Sequence, residues 1–116
     1  MKQAIRWASL VALLFVSPAA WAGDALLARQ LTDRGIELQQ KGEHEAALRL
    51  FDAALTETDH PKIRYFRAKS LRGLGRRDES IAEFEGILDR PEVAKYRTEI
   101  IAFINDAGTV KKILDH

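Results

Sequence analysis

Downstream of Asp24 the apolar positions of the chain recur at helical spacing. Leu27, Leu31, Gly35 and Leu38 fall at i, i+4, i+8 and i+11, one face of an α-helix. The Asp24 carboxylate can accept from the free N–H groups of a first turn, so a helix is predicted from there to Gln40. Lys41-Gly42-Glu43 should stop it, because glycine reaches the positive φ at which helices end. A second helix is expected from about Glu43 to Thr58, with Ala46, Ala47, Leu50, Phe51, Ala54 and Leu55 facing inward. Pro61, tolerated in a first turn, introduces a third from about Lys62 to Gly73 that buries Ala68 and Leu71. A fourth, about Asp78 to Asp89, turns Ile81, Phe84, Ile87 and Leu88 inward. Pro91 opens a fifth, about Glu92 to Asp106, with the most apolar stripe of all: Val93, Tyr96, Ile100, Ile101, Phe103, Ile104 and Ala107. No stretch alternates as a strand would, so the class is all-α, helical hairpins stacked in series.

The pattern repeats itself. Thirty-three residues separate Leu38 from Leu71, Gly42 from Gly75, Phe51 from Phe84 and Leu55 from Leu88. In the same register Gly35 becomes Ala68, Ala47 becomes Ser80 and Leu48 becomes Ile81. A further step carries Leu71 to Ile104 and Gly75 to Gly108, the start of a truncated third copy. A fixed period of this length marks a solenoid of one repeated supersecondary unit. Gly108 then stands where the repeat would turn, and Val110, Ile113 and Leu114 are expected to fold back over the open end.

The spacing resembles the tetratricopeptide repeat, two antiparallel helices over about 34 residues with a W-x2-L-G-x2-Y, A-x3-F, P pattern. Leu31, Gly35 and Leu38 stand at its first-helix positions, Gly42 in the turn, Ala47, Phe51 and Ala54 in its second helix, and Pro61 at its close. The second copy departs further, with Arg64 for the bulky residue, Ala68 for the glycine, Ser80 for the alanine and Ile87 for the second small residue before Pro91. The likeness covers about Ala28 to Asp106. It implies a right-handed stack of antiparallel hairpins, a TPR-like α-solenoid: repeat 1 over about 28–60, repeat 2 over about 61–90, and a capping helix and tail over 91–116.

The first 22 residues are a different kind of segment. Lys2 and Arg6 precede an uncharged run from Trp7 to Val16, Pro18 breaks it, and Ala20-Trp21-Ala22 puts small residues where a signal peptidase reads. Trp7 to Ala22 is shorter than the roughly 20 residues a spanning helix needs, so a cleaved leader is expected over a retained anchor. The expected mature chain, 23–116, is one domain, periplasmic, without stable membrane insertion once the leader is gone. Without Lys2 and Arg6 the 18 basic residues become 16 against 17 acidic, so net basicity argues for nothing. The absence of cysteine excludes disulfides, thiolate metal sites and thiol nucleophiles.

Catalytic signatures fail one by one. His44-Glu45 opens like the zinc motif H-E-x-x-H, but its second ligand position is Leu48, on the buried stripe. His60 beside Asp59 reads as a cap in a turn, and His116 is the terminal residue. Ser70 and Ser80 lie in no G-x-S-x-G elbow, and Gly73-Leu74-Gly75 follows no strand and cannot form a phosphate loop. No nucleophile, base and orienter assemble, so no enzyme activity, cofactor or metal is expected.

One stretch is unusual. Lys62 to Arg77 holds seven cations in sixteen residues, Lys62, Arg64, Arg67, Lys69, Arg72, Arg76 and Arg77, and no acid. In the tetratricopeptide resemblance the first helix of each unit lines a concave groove, which would receive Lys62, Tyr65, Lys69 and Arg72. One repeat earlier the same positions are Arg29, Thr32, Ile36 and Gln39. Such a groove suits an acidic peptide or a free C-terminal carboxylate. The competing reading is a salt-bridged surface, with the cations answered by Asp78, Glu79, Glu83 and Glu85. Nucleic acid is a poor fit for an exported chain of this charge.

The function expected is therefore an exported, non-catalytic interaction module that holds a peptide segment or partner protein. The alternative is a structural subunit of an envelope assembly, or a homo-oligomer, joined through the C-terminal helix. The leader reading predicts a mature N-terminus at Gly23, checked by intact mass of protein from a periplasmic fraction. A full-length chain in the membrane pellet would overturn it.

Overall fold

The computed structural model describes residues 23–114, with side chains through residue 106. The expected leader, the side chains of Val110, Ile113 and Leu114, and His116 lie outside the described residues. Every described element is helical: α1 (Ala25–Gln40), α2 (His44–Glu57), α3 (Pro61–Gly73), α4 (Arg77–Ile87), a 3-10 helix (Pro91–Tyr96) and α5 (Arg97–Leu114). Among the described residues no helix is long and apolar enough to cross a membrane.

Local chemistry sets the ends. The Leu27 N–H donates to the Asp24 carboxylate at 2.9 Å, capping α1 as expected. His60 caps α3, its Nδ1 accepting from the Lys62 N–H at 3.1 Å, with Pro61 in the first turn. The α1–α2 and α3–α4 turns are the same turn. Gly42 has φ 80° and Gly75 has φ 77°. In each the glycine N–H donates three residues back, to Gln39 or Arg72, and the next N–H reaches the carbonyl of Leu38 or Leu71. This satisfies carbonyls that a helix end leaves open.

Each helix packs mainly on its neighbours in sequence: α1 on α2, α2 on α3, α3 on α4, α5 on α4. The hairpins are antiparallel. The Asp24 N–H at the start of α1 donates to Glu57 at the end of α2, and Ser80 Oγ of α4 donates to the Ala68 carbonyl of α3 at 2.9 Å. Gly35 lets α1 and α2 close up, since a Cβ there would lie 2.6 Å from the Phe51 ring. Phe51 and Phe84 are both buried, as their register requires.

Two core clusters form. One gathers Ala47, Phe51, Ala54 and Ile63; the other gathers Tyr65, Ala68, Phe84, Ile87, Val93 and Ile100. Phe66 packs against both.

The fifth helix differs from expectation at both ends. It opens as a 3-10 helix in which Val93 has φ −111° and ψ 16°, outside helical geometry. Residues i and i+3 eclipse in a 3-10 turn, which sends Val93 and Tyr96 to the same side. Val93 is buried there, and Tyr96 stacks on Tyr65. At the other end α5 continues through Gly108 to Leu114, so the expected hinge and fold-back are not made. Glycine in a helix costs about 1 kcal/mol relative to alanine, which permits a stop without imposing one.

Two glycines separate packing from propensity. Gly35→Ala is expected to destabilise by about 1 to 3 kcal/mol through overpacking against Phe51. Gly86→Ala in α4, where an added Cβ meets nothing within 4 Å, should stabilise by about 0.5 to 1 kcal/mol. Phe51→Ala and Phe84→Ala should each cost about 3 to 5 kcal/mol. Urea unfolding at unchanged m-value measures all four, and a silent Gly35→Ala would refute the close α1–α2 contact.

Candidate functional site

The cation-rich α3 is the most enclosed helix, with α1, α2, α4 and the 3-10 helix against it. Those neighbours answer most of its charges. Arg64 makes two hydrogen bonds to Asp59, at 2.7 and 3.0 Å, and a third to Glu83 at 3.1 Å. The Arg64 hydrogen bonds, with its charge, hold the Asp59 carboxyl below its usual range. Arg67 bridges Asp52 at 2.6 Å and Glu83 at 3.5 Å. Beyond the end of α3, Arg76 pairs with Glu79 in the first turn of α4 at 2.7 Å. Glu79 and Glu83, both expected to answer the cations, do so; Asp52 and Asp59 add two that precede α3 in sequence.

The eight expected groove residues divide into two sets. Tyr65 is 1 % exposed, with its ring stacked on Tyr96 at 4.2 Å between centroids, so it offers a ligand no surface. Burial first, then the nearby Glu99 carboxylate, push its phenol well above the usual tyrosine range. Lys69 lies 3.7 Å from Glu99 and over the Tyr65 ring. Arg72 meets Asp106 at 3.3 Å and covers the Phe103 ring at 4.4 Å. These three belong to a seam in which α5 lies against α3. Gln39 is also committed to the fold: its side-chain amide donates to the Phe66 carbonyl at 2.7 Å and to Ser70 Oγ at 2.8 Å, tying α1 to α3.

The other four come together. Arg29, Thr32, Ile36 and Lys62 line one cavity of about 530 Å³ between α1, α3 and the 3-10 helix. Its apolar surface comes from Ile36, Ile63, Phe66 and Tyr96, and its polar surface from Arg29, Thr32, Asp33, His60 and Lys62. Thr32 Oγ donates to the Ala28 carbonyl at 2.7 Å, which leaves its lone pairs to accept. His60 Nδ1 is occupied as the α3 cap, so in the neutral ring the hydrogen sits on Nε2, a donor. Among the described residues Arg29 and Lys62 make no ion pair, in contrast to Arg64, Arg67, Lys69, Arg72 and Arg76.

Ile63, Phe66 and Tyr96 were not among the expected groove residues. Ile63 and Phe66 stand at i and i+3 on α3, a spacing visible in the sequence but hidden by the cations between and around them. Tyr96 sits on the inward stripe of the fifth helix and reaches the cavity because of the 3-10 turn.

Elsewhere the chemistry is structural. Leu48, where the zinc motif would need its second ligand, is buried. His44 packs its ring against Gly73, and its Nδ1 is buried without a hydrogen-bond partner among the described residues. Ser70 and Ser80 are buried, bonded to Gln39 and to the Ala68 carbonyl. Among the described residues no group of three His, Asp or Glu side chains is arranged to hold a metal. Compared with known proteins, the chain matches no family model, no curated protein and no solved structure.

Proposed function

We propose that this protein is an exported, non-catalytic interaction module that holds a segment of another polypeptide in the cavity between α1 and α3. In this reading it is a short, right-handed tetratricopeptide-like stack, two units and a capping helix, released into the periplasm after its leader is removed. The observation that carries the reading is the cavity itself: an apolar floor of Ile36, Ile63 and Phe66 beside two cations, Arg29 and Lys62, that no acid of the described residues neutralises. Apolar area supplies affinity and a few placed charges supply orientation, the usual division in a binding groove. The recurrence of one turn at Gly42 and Gly75 supports the repeat reading. Site-specific photo-crosslinking tests the groove. A photoreactive residue at Thr32, in the full-length chain made with its leader, should capture a partner polypeptide, whereas the same residue at Glu45 on α2 should not. Equal capture at both positions, or none at Thr32, would retire the groove.

A second reading is association through α5, favoured by Ile101. It is 43 % exposed, at the register position that Ala68 and Gly35 fill with small, buried side chains in the earlier units. Sedimentation of the wild type and of Ile101→Glu distinguishes this: self-association predicts an oligomer that the substitution converts to monomer.

A further inference from the structure

We infer that the segment held between α1 and α3 presents one side-chain carboxylate within about three residues of a large apolar side chain, and that both lie inside the partner chain rather than at its end. This deepens the proposed groove and rests on it. The charge of the lining limits how many acids the ligand carries. Arg29 and Lys62 face it without ion-pair partners among the described residues, while Asp33 stands on the same rim one turn beyond Arg29. With neutral His60 the lining carries two positive charges and one negative, so a single carboxylate balances it and a polyacidic run would meet Asp33. The four ion-paired cations of α3, Arg64, Arg67, Lys69 and Arg72, cannot be recruited without breaking contacts to their own acids.

The length of the groove sets the spacing. It runs along α1 from Ala25 to Ile36. At about 1.5 Å per helical residue that is roughly 16 Å, room for about five residues of extended chain at ~3.3 Å each. Arg29 and Ile36 are about 10 Å apart along the axis by the same rise, or roughly three extended residues. The lining continues past Arg29 to Ala25, so a chain whose carboxylate meets Arg29 has room to extend on both sides. A terminal carboxylate would leave that part of the groove empty.

The test uses protein recovered after synthesis of the full-length chain, labelled with nitrogen-15, and N-acetylated heptapeptides, of which the first two are C-amidated. The first carries one Glu two positions before a Phe on a Gly/Ser background. The second has Gln for the Glu, and the third has that Gln but ends on the Phe with a free carboxylate. The first peptide should shift the amide signals of Arg29, Thr32, Ile36 and Phe66. Its Kd should rise about three- to tenfold when its Glu becomes Gln, the range of an exposed to half-enclosed charge contact. Arg29→Gln and Lys62→Gln should produce a similar loss at unchanged melting temperature, and the preference should shrink with added salt. Equal binding of the Glu and Gln peptides at the same amides would keep the groove and overturn the acid preference. Tighter binding of the third peptide would overturn the internal position. If those amides respond to no peptide, or only to anionic phosphatidylglycerol vesicles, the inference and the groove reading both fall.

Discussion

Phe66 is where the two halves of the protein meet. Its ring faces Phe51 of the first hairpin at 6.2 Å and packs edge-on to Tyr65 at 5.0 Å, within the second cluster. Tyr65 in turn stacks on Tyr96, and Phe84 lies against Phe103, so aromatic contact is continuous from α2 to α5. A hairpin of this size can bury its apolar side only against a neighbour. Here α3 serves as that neighbour in both directions. The Gln39 amide, bonded to the Phe66 carbonyl and to Ser70, fixes α1 against the same helix.

That enclosure determines what the basic helix can do. With five cations and no acid, Lys62, Arg64, Arg67, Lys69 and Arg72, α3 would repel itself if left in isolation. Packing between acid-bearing neighbours turns most of the charge inward on the fold: Asp52 and Asp59 come from α2 and the turn after it, Glu79 and Glu83 from α4, Glu99 and Asp106 from α5. Glu83 receives both Arg64 and Arg67. Exposed pairs of this kind contribute little stability one by one, about 1 kcal/mol or less. Their consequence is selective: they leave Lys62 on α3 and Arg29 on α1 as the charges available to a ligand at the cavity.

The helices and their turns were legible because they are local. Helix stops, caps and the inward stripe depend on residues within a turn or two of each other, so Gly42 and Gly75 produce the same turn 33 residues apart. For the same reason Asp24 and His60 cap where the sequence places them. Ala68 meets Ser80 as the register places them, whereas Gly35 lies against the Phe51 ring, a contact that the register does not give.

Three features were decided only by the tertiary fold. Which cations are paired depends on acids up to 34 residues away in sequence, as with Arg72 and Asp106, so the sequence named Glu79 and Glu83 as partners but not Asp52, Asp59, Glu99 or Asp106. Tyr65 occupies an expected groove position, yet the 3-10 turn at Val93 brings Tyr96 over its ring and removes it from the surface. Gly108 keeps the register of the turn glycines and still stays helical. The sequence determines where helices can begin, bend and pair, because those are short-range energies. The fold decides which face remains open, because that depends on what every other helix covers.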